Sequence, residues 1–166
     1  MRNKISIIGA GMVGGSCAQR IAEKGYADVV LVDIVEGLPQ GRALDILESA
    51  PILGSDSKVI GTNSYKDTAN SDIVVITSGV ARKPGMSRED LVLTNMKIVR
   101  GVCPEVIQYS PDCIIIMVTN PLDTMVHLAL HDTKFPRTRL FGQSGILDTT
   151  RFSTFVAQEL NTSVED

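Results

Sequence analysis

The stretch Ile5-Ser6-Ile7-Ile8-Gly9-Ala10-Gly11-Met12-Val13-Gly14 runs an apolar strand straight into three glycines spaced G-x-G-x-x-G. The spacing predicts the seat of a dinucleotide's pyrophosphate. Gly9 takes the tight turn, Gly11 lets the backbone approach phosphate oxygens with no Cβ between, and Gly14 lets the next helix pack closely on the sheet. The free N–H groups and positive dipole end of that helix then face the charge. Three glycines after a strand can also make a plain turn. Asp33 argues for the anion, standing nineteen positions after Gly14 at the end of the apolar run Val29-Val30-Leu31-Val32. A carboxylate at that distance accepts hydrogen bonds from the adenosine ribose hydroxyls and repels a 2′-phosphate, which favours NAD over NADP. The competing role for Asp33 is a turn or helix cap.

Outward from this stretch, short β-branched runs alternate with longer mixed segments, the pattern of a parallel sheet with helical crossovers. Six strands are expected at 4–8, 29–32, 58–61, 73–77, 113–118 and 139–141. Helices are expected over 12–24, 41–50, 87–109, from Pro121 onward, and over 148–160, with Ser87 and Asp90 forming a capping-box-like start to the long third one. The runs at Ile73 and Cys113 are almost wholly apolar, as central strands covered on both faces must be. The fold class is therefore α/β: a doubly wound, parallel, six-stranded Rossmann sheet with ligand at the carboxyl ends of its strands. Residues 1–145 read as one nucleotide-binding domain and 146–166 as the start of a second.

At 166 residues and 43% hydrophobic composition the chain can bury one substantial core. A net charge of −3 without a basic block gives no nucleic-acid or polybasic membrane surface, and no apolar run reaches the length of a membrane span. The expected partners are small molecules or protein, and the expected compartment is the cytoplasm. Cys17, Cys103 and Cys113 lack C-x-x-C spacing and read as buried free thiols. His127 and His131 are spaced i, i+4, but no H-E-x-x-H motif or further ligand set accompanies them, so no metal is expected.

Polar groups gather where the strands end. Thr77-Ser78-Gly79 follows one strand and Thr119-Asn120-Pro121 another, while the loop from Val80 to Arg88 carries Arg82, Lys83 and Arg88 around Pro84 and Gly85. Guanidinium forks match carboxylates, so this loop suits a lid over an anionic substrate, the alternative being a solvated surface loop.

Four segments, 9–14 (GAGMVG), 77–88 (TSGVARKPGMSR), 118–123 (VTNPLD) and 145–152 (GILDTTRF), strongly resemble the lactate and malate dehydrogenase family, in particular its lactate-dehydrogenase-like bacterial malate dehydrogenases. The resemblance covers the whole chain. It implies hydride transfer between malate or oxaloacetate and NAD, with cofactor contacts from Gly9, Gly11, Met12, Val13, Gly14, Asp33, Thr77, Ser78, Gly79, Asn95, Val118 and Asn120. Arg82 matches the position that pairs with the second carboxylate of a dicarboxylate, which disfavours lactate. Arg88 matches the lid arginine that polarises the reacting carbonyl. Arg151 matches the clamp on the C1 carboxylate, and Asn120 a residue touching both substrate and cofactor. Asp148 matches the carboxylate that orients the catalytic histidine. Ser78 replaces the alanine of many relatives, a small-for-small change. The resemblance also implies a homo-oligomer.

The departure from the family concerns its proton donor. That histidine lies in a Gly-His-Gly segment beyond the D-x-x-R motif, and residues 1–166 contain only His127 and His131, both outside such a context. The expectation is an NAD-binding chain with little or no malate dehydrogenase activity by itself, whose last helix exposes Phe152, Phe155, Val156 and Leu160. The alternative is a stand-alone NAD-binding or assembly module.

Overall fold

A computed structural model describes residues 2–165. In chain order the elements are β1 (Lys4–Ile8), α1 (Met12–Glu23), β2 (Asp28–Val32), α2 (Leu38–Leu53), β3 (Val59–Thr62), β4 (Ile73–Ile76), α3 (Arg88–Tyr109), β5 (Ile114–Met117), α4 (Leu122–Thr133), β6 (Leu140–Gly142) and α5 (Gly145–Leu160). The strands form one parallel sheet in the order β3-β2-β1-β4-β5-β6. The chain leaves β1 toward one edge and, after β3, returns to build the other edge from β4. The carboxyl ends of β1 and β4 therefore flank the point where the winding reverses.

Side-chain parity divides the core into two halves. Ile7, Val29, Leu31 and Val75 point to one face and pack with Ala18 and Ala22 of α1 and Ala43 and Ile46 of α2. Their neighbours Ile8, Val30, Val32, Val74 and Ile76 point to the other, against Val99, Val102 and Val106 of α3 and Met125 and Leu128 of α4. Successive residues of a strand face opposite sides, so runs apolar at every position supply both layers.

The strands fall within a residue or so of their expected bounds. Helix α2 is longer at both ends than the 41–50 expected. It begins at Leu38 because Pro39 occupies the first turn, where a missing N–H costs nothing, and it passes Pro51 to end at Gly54, whose left-handed backbone (φ 67°) closes the helix. Its buried residues are Pro39, Ala43 and Ile46, leaving Leu44 and Leu47 facing outward. Helix α5 starts at Gly145, three residues ahead of Asp148. Ser87 caps α3 in a complete capping box: its hydroxyl accepts the Asp90 N–H at 3.0 Å and the Asp90 carboxylate accepts the Ser87 N–H at 3.1 Å. Hydrogen bonds from Ser87 hold the Asp90 carboxyl below its usual range. Among the described residues, no helix is long and apolar enough to cross a membrane.

Candidate dinucleotide and substrate site

The site begins where β1 ends. Gly9 continues the strand with its N–H donated to Val32 O at 2.8 Å, then turns with φ 108°, a conformation open to glycine and strained for other residues. Its surroundings are as restrictive as its backbone: a Cβ there would stand 2.7 Å from Thr77 Oγ1 and 2.8 Å from the Ser78 nitrogen. A Cβ on Gly14 would lie 1.8 Å from the Gly9 carbonyl oxygen, so α1 is seated directly on the turn. Gly11 is different, since a Cβ there would meet nothing within 4 Å. The space over Gly11 is open, and α1 starts from it with no side-chain cap and no acidic residue in its first turn. Orphan N–H groups facing an open approach are what an anionic group needs, and a pyrophosphate fits this cradle.

Asp33 lies beside that cradle. Its carboxylate accepts the Ala10 N–H at 2.7 Å through Oδ2 and the Val35 N–H at 2.9 Å through Oδ1. The cap expected as a competing role is thus present. One bond per oxygen leaves each a free acceptor site on a half-buried group, which keeps ribose hydroxyls within its capacity. Asn63 steadies the loop by donating to the carbonyls of Asp33 and Val35.

Two further strand ends are tied to the turn. The Thr77 hydroxyl donates to the carbonyls of Ile8 and Gly9 at 3.2 and 3.1 Å, joining β4 to β1 across the winding reversal. The Thr119 hydroxyl donates to Ser78 O at 2.7 Å, joining β5 to β4. Ser78 Oγ is buried with no hydrogen-bond partner among the described residues, Gly79 is exposed, and Val118 pairs its N–H with Ile76 O at 2.9 Å. Met12 and Val13 present largely exposed side chains at the head of α1.

Asn95 is 1% exposed, and each end of its amide is spent on backbone. Oδ1 accepts the Val80 N–H at 2.8 Å, and Nδ2 donates to Val80 O at 3.2 Å and Asn120 O at 2.6 Å. From α3 it therefore holds the loop after β4 and the loop after β5 together. The side chain of Asn120, by contrast, is exposed on that loop.

The cationic groups are all solvent-facing. Arg82 donates Nε to Met86 O at 3.0 Å, which folds the loop back on itself around Gly85 (φ 82°) and leaves Nη1 and Nη2 for an incoming anion. Arg88 is the first residue of α3, and Lys83 is exposed between the two arginines. Asp148 and Arg151 sit one turn apart near the head of α5, with Nη1 to Oδ1 at 3.4 Å. Because β1, β4, β5 and β6 are parallel neighbours, the residues following each share one edge of the sheet.

Other sequence candidates lie apart from this edge. His127 and His131 are exposed on α4, and His131 Nδ1 lies 2.9 Å from Asp132 Oδ1. Among the described residues, no group of three or more His, Cys, Asp or Glu side chains gathers as a metal site. Burial pushes the Cys103 thiol up to about 12 and Cys113 to about 11, and raises Cys17, so all three stay protonated at neutral pH. Sequence reasoning missed the bracing by Thr119 and the close seat of Arg42 over Gly15, whose Cβ would meet Arg42 Nη1 at 2.6 Å. An alternating pattern gives no sign of a contact between two helices distant in sequence.

Fold and turn together define a dinucleotide-binding domain of the doubly wound class. A family model described as lactate/malate dehydrogenase, NAD binding domain, matches residues 3–142. The chain is 60% identical to malate dehydrogenase of Bacillus licheniformis over 99% of its own length and 54% of that protein's. Its fold superposes on malate dehydrogenase of Picrophilus torridus in its apo form with TM-score 0.95 and 46% identity, covering 100% of this chain and 53% of that one. Lactate dehydrogenase of Cryptosporidium parvum, solved with lactic acid and β-nicotinamide adenine dinucleotide, gives TM-score 0.94 at 43% identity, with 100% and 52% covered. The chain belongs to the lactate/malate dehydrogenase family, and NAD is the cofactor of its domain. It spans about half the length of the curated relatives it matches.

Proposed function

We propose that the protein is the NAD-binding portion of a malate dehydrogenase, with oxaloacetate and malate as its substrate pair. NAD supplies the hydride acceptor and donor. The main-chain N–H groups at the head of α1 hold its pyrophosphate, and Asp33 receives the ribose hydroxyls and repels a 2′-phosphate. Arg151 grips the substrate's C1 carboxylate, while Arg82 offers its two free Nη groups to the second carboxylate. Arg88 stabilises charge growing on the carbonyl oxygen, and Asn120 touches substrate from the neighbouring loop. The observation that carries this reading is the exposed Arg82, with its guanidinium end open, on the loop after β4 beside the anion turn.

Asp148 serves as the orienter of a histidine that residues 1–166 do not supply. His127 and His131 stand along α4, away from the edge where the strands end. General acid catalysis is worth roughly 10² to 10⁴ in rate, so these residues by themselves bind NAD and reduce oxaloacetate poorly or not at all. We draw the domain boundary at 145/146, inside the first turn of α5.

Titration of the chain with NADH and NADPH, followed by nicotinamide fluorescence, tests the reading. NADH should bind saturably and in preference to NADPH, and oxaloacetate should tighten that binding more than pyruvate does. Absence of NADH binding defeats the proposal. A stronger effect of pyruvate assigns the lactate branch instead, and rapid oxaloacetate reduction by these residues refutes the predicted inactivity.

A further inference from the structure

Arg42 of α2 is a cation in an unusual place. Its side chain lies close against Gly15: a Cβ on that glycine would stand 2.6 Å from Nη1, 3.1 Å from Cδ and 3.2 Å from Cζ. Nη2 reaches Met12, the first residue of α1, with Sδ at 3.7 Å. Nε is buried with no hydrogen-bond partner, and the guanidinium forms no ion pair among the described residues. A thioether is a weak acceptor and does not satisfy it.

The first turn of a helix carries partial positive charge and favours carboxylates over cations. Here α1 has no acidic residue in that turn and no side-chain cap, and a guanidinium is added to the same turn. The Asp33 carboxylate on the Ala10 N–H is the nearby negative charge and does not pair with Arg42, so the guanidinium and the helix head repel each other until a negative charge over Gly11 relieves them. The absence of a Cβ at Gly15 is what admits the guanidinium.

We infer that Arg42 is a positioning residue for the dinucleotide, a charge held over the first turn of α1 that strengthens the hold on the pyrophosphate; the inference rests on the NAD-binding reading above. It differs from the backbone contacts of the glycine turn in coming from another helix through a side chain. A full positive charge about one helical turn (~5.4 Å) from the helix head remains within the Debye length of ~8 Å at physiological ionic strength.

The experiment compares Arg42→Met and Arg42→Lys with the unsubstituted chain, measuring NADH affinity by fluorescence and Tm without ligand. Arg42→Met should weaken NADH binding about three- to tenfold, whereas Arg42→Lys keeps the charge and should stay within about twofold. The ligand-free Tm of Arg42→Met should equal or exceed that of the unsubstituted chain, because an unpaired cation at a helix head has been removed. Unchanged affinity in Arg42→Met overturns the inference. So does an equal loss in both variants, or a loss accompanied by a lower ligand-free Tm, either of which makes Arg42 a packing element. If the unsubstituted chain fails to bind NADH, the NAD-binding reading falls and this inference with it; if it binds and Arg42→Met binds equally well, only the role of Arg42 falls.

Discussion

Gly14 and Gly101 are both helical glycines, and their surroundings give them opposite values. In α1, a methyl group at Gly14 would come within 1.8 Å of the Gly9 carbonyl oxygen, a backbone atom that cannot move without opening the turn. In α3, a methyl group at Gly101 meets nothing within 4 Å. Alanine gains about 1 kcal/mol over glycine in a helix interior, whereas forced overpacking costs about 1–3 kcal/mol and occasionally more. Gly14→Ala should therefore lose about 1–3 kcal/mol in urea denaturation together with NADH binding. Gly101→Ala should gain up to about 1 kcal/mol and bind normally. Equal effects from the two substitutions would contradict the close seat of α1 on the turn. The G-x-G-x-x-G spacing made Gly9, Gly11 and Gly14 legible, because a sequence motif records a local backbone requirement. Gly15 was not legible, since its requirement comes from a side chain twenty-seven residues away.

Among elements, the informative coupling runs through Asn95. The resemblance makes it a cofactor contact; in the structure its amide is committed to Val80 and Asn120, so it shapes the two loops that carry Gly79 and Asn120. Removing it leaves a backbone donor and two carbonyls short of partners, at about 1–3 kcal/mol for a buried group left unsatisfied. Asn95→Ala should lose about 2 kcal/mol of stability. Asn95→Asp should lose at least as much despite its identical shape, because it sets a carboxylate oxygen where Nδ2 faces carbonyls at 2.6 and 3.2 Å. Urea denaturation checks the order, and a stable Asn95→Asp protein would remove the bracing role. The bounds of α2 teach a related lesson. Pro39 falls in its first turn, where no intrahelical N–H is required, whereas Pro51 falls inside its last turn, where one N–H is lost shortly before the helix closes at Gly54.

For the whole molecule, α5 is the element that the rest of the described fold leaves uncovered. Of its residues only Ala157 is buried, while Phe152 and Phe155 are 71% and 66% exposed. Burying a phenylalanine gains about 1.5–3 kcal/mol, so an uncovered face of this kind drives association. The chain should self-associate with rising concentration in sedimentation velocity, and Phe152→Asp with Phe155→Asp should weaken that association by at least about tenfold. A strict monomer before substitution would rule the prediction out.

The sequence by itself determined the class of fold, the glycine turn after the first strand, the position of Asp33 at the end of the second, and the family. Each of these is recorded in local terms: side-chain period, glycine spacing, or a run of residues joined along one strand end. Only the tertiary structure decided that Asn95 is spent on backbone, that Asp33 caps the turn while keeping acceptor capacity, and that Arg42 lies over α1 with no ion pair among the described residues. Those outcomes depend on distances between segments far apart in the chain, and a buried polar group takes its role from whichever partners packing brings within hydrogen-bond reach.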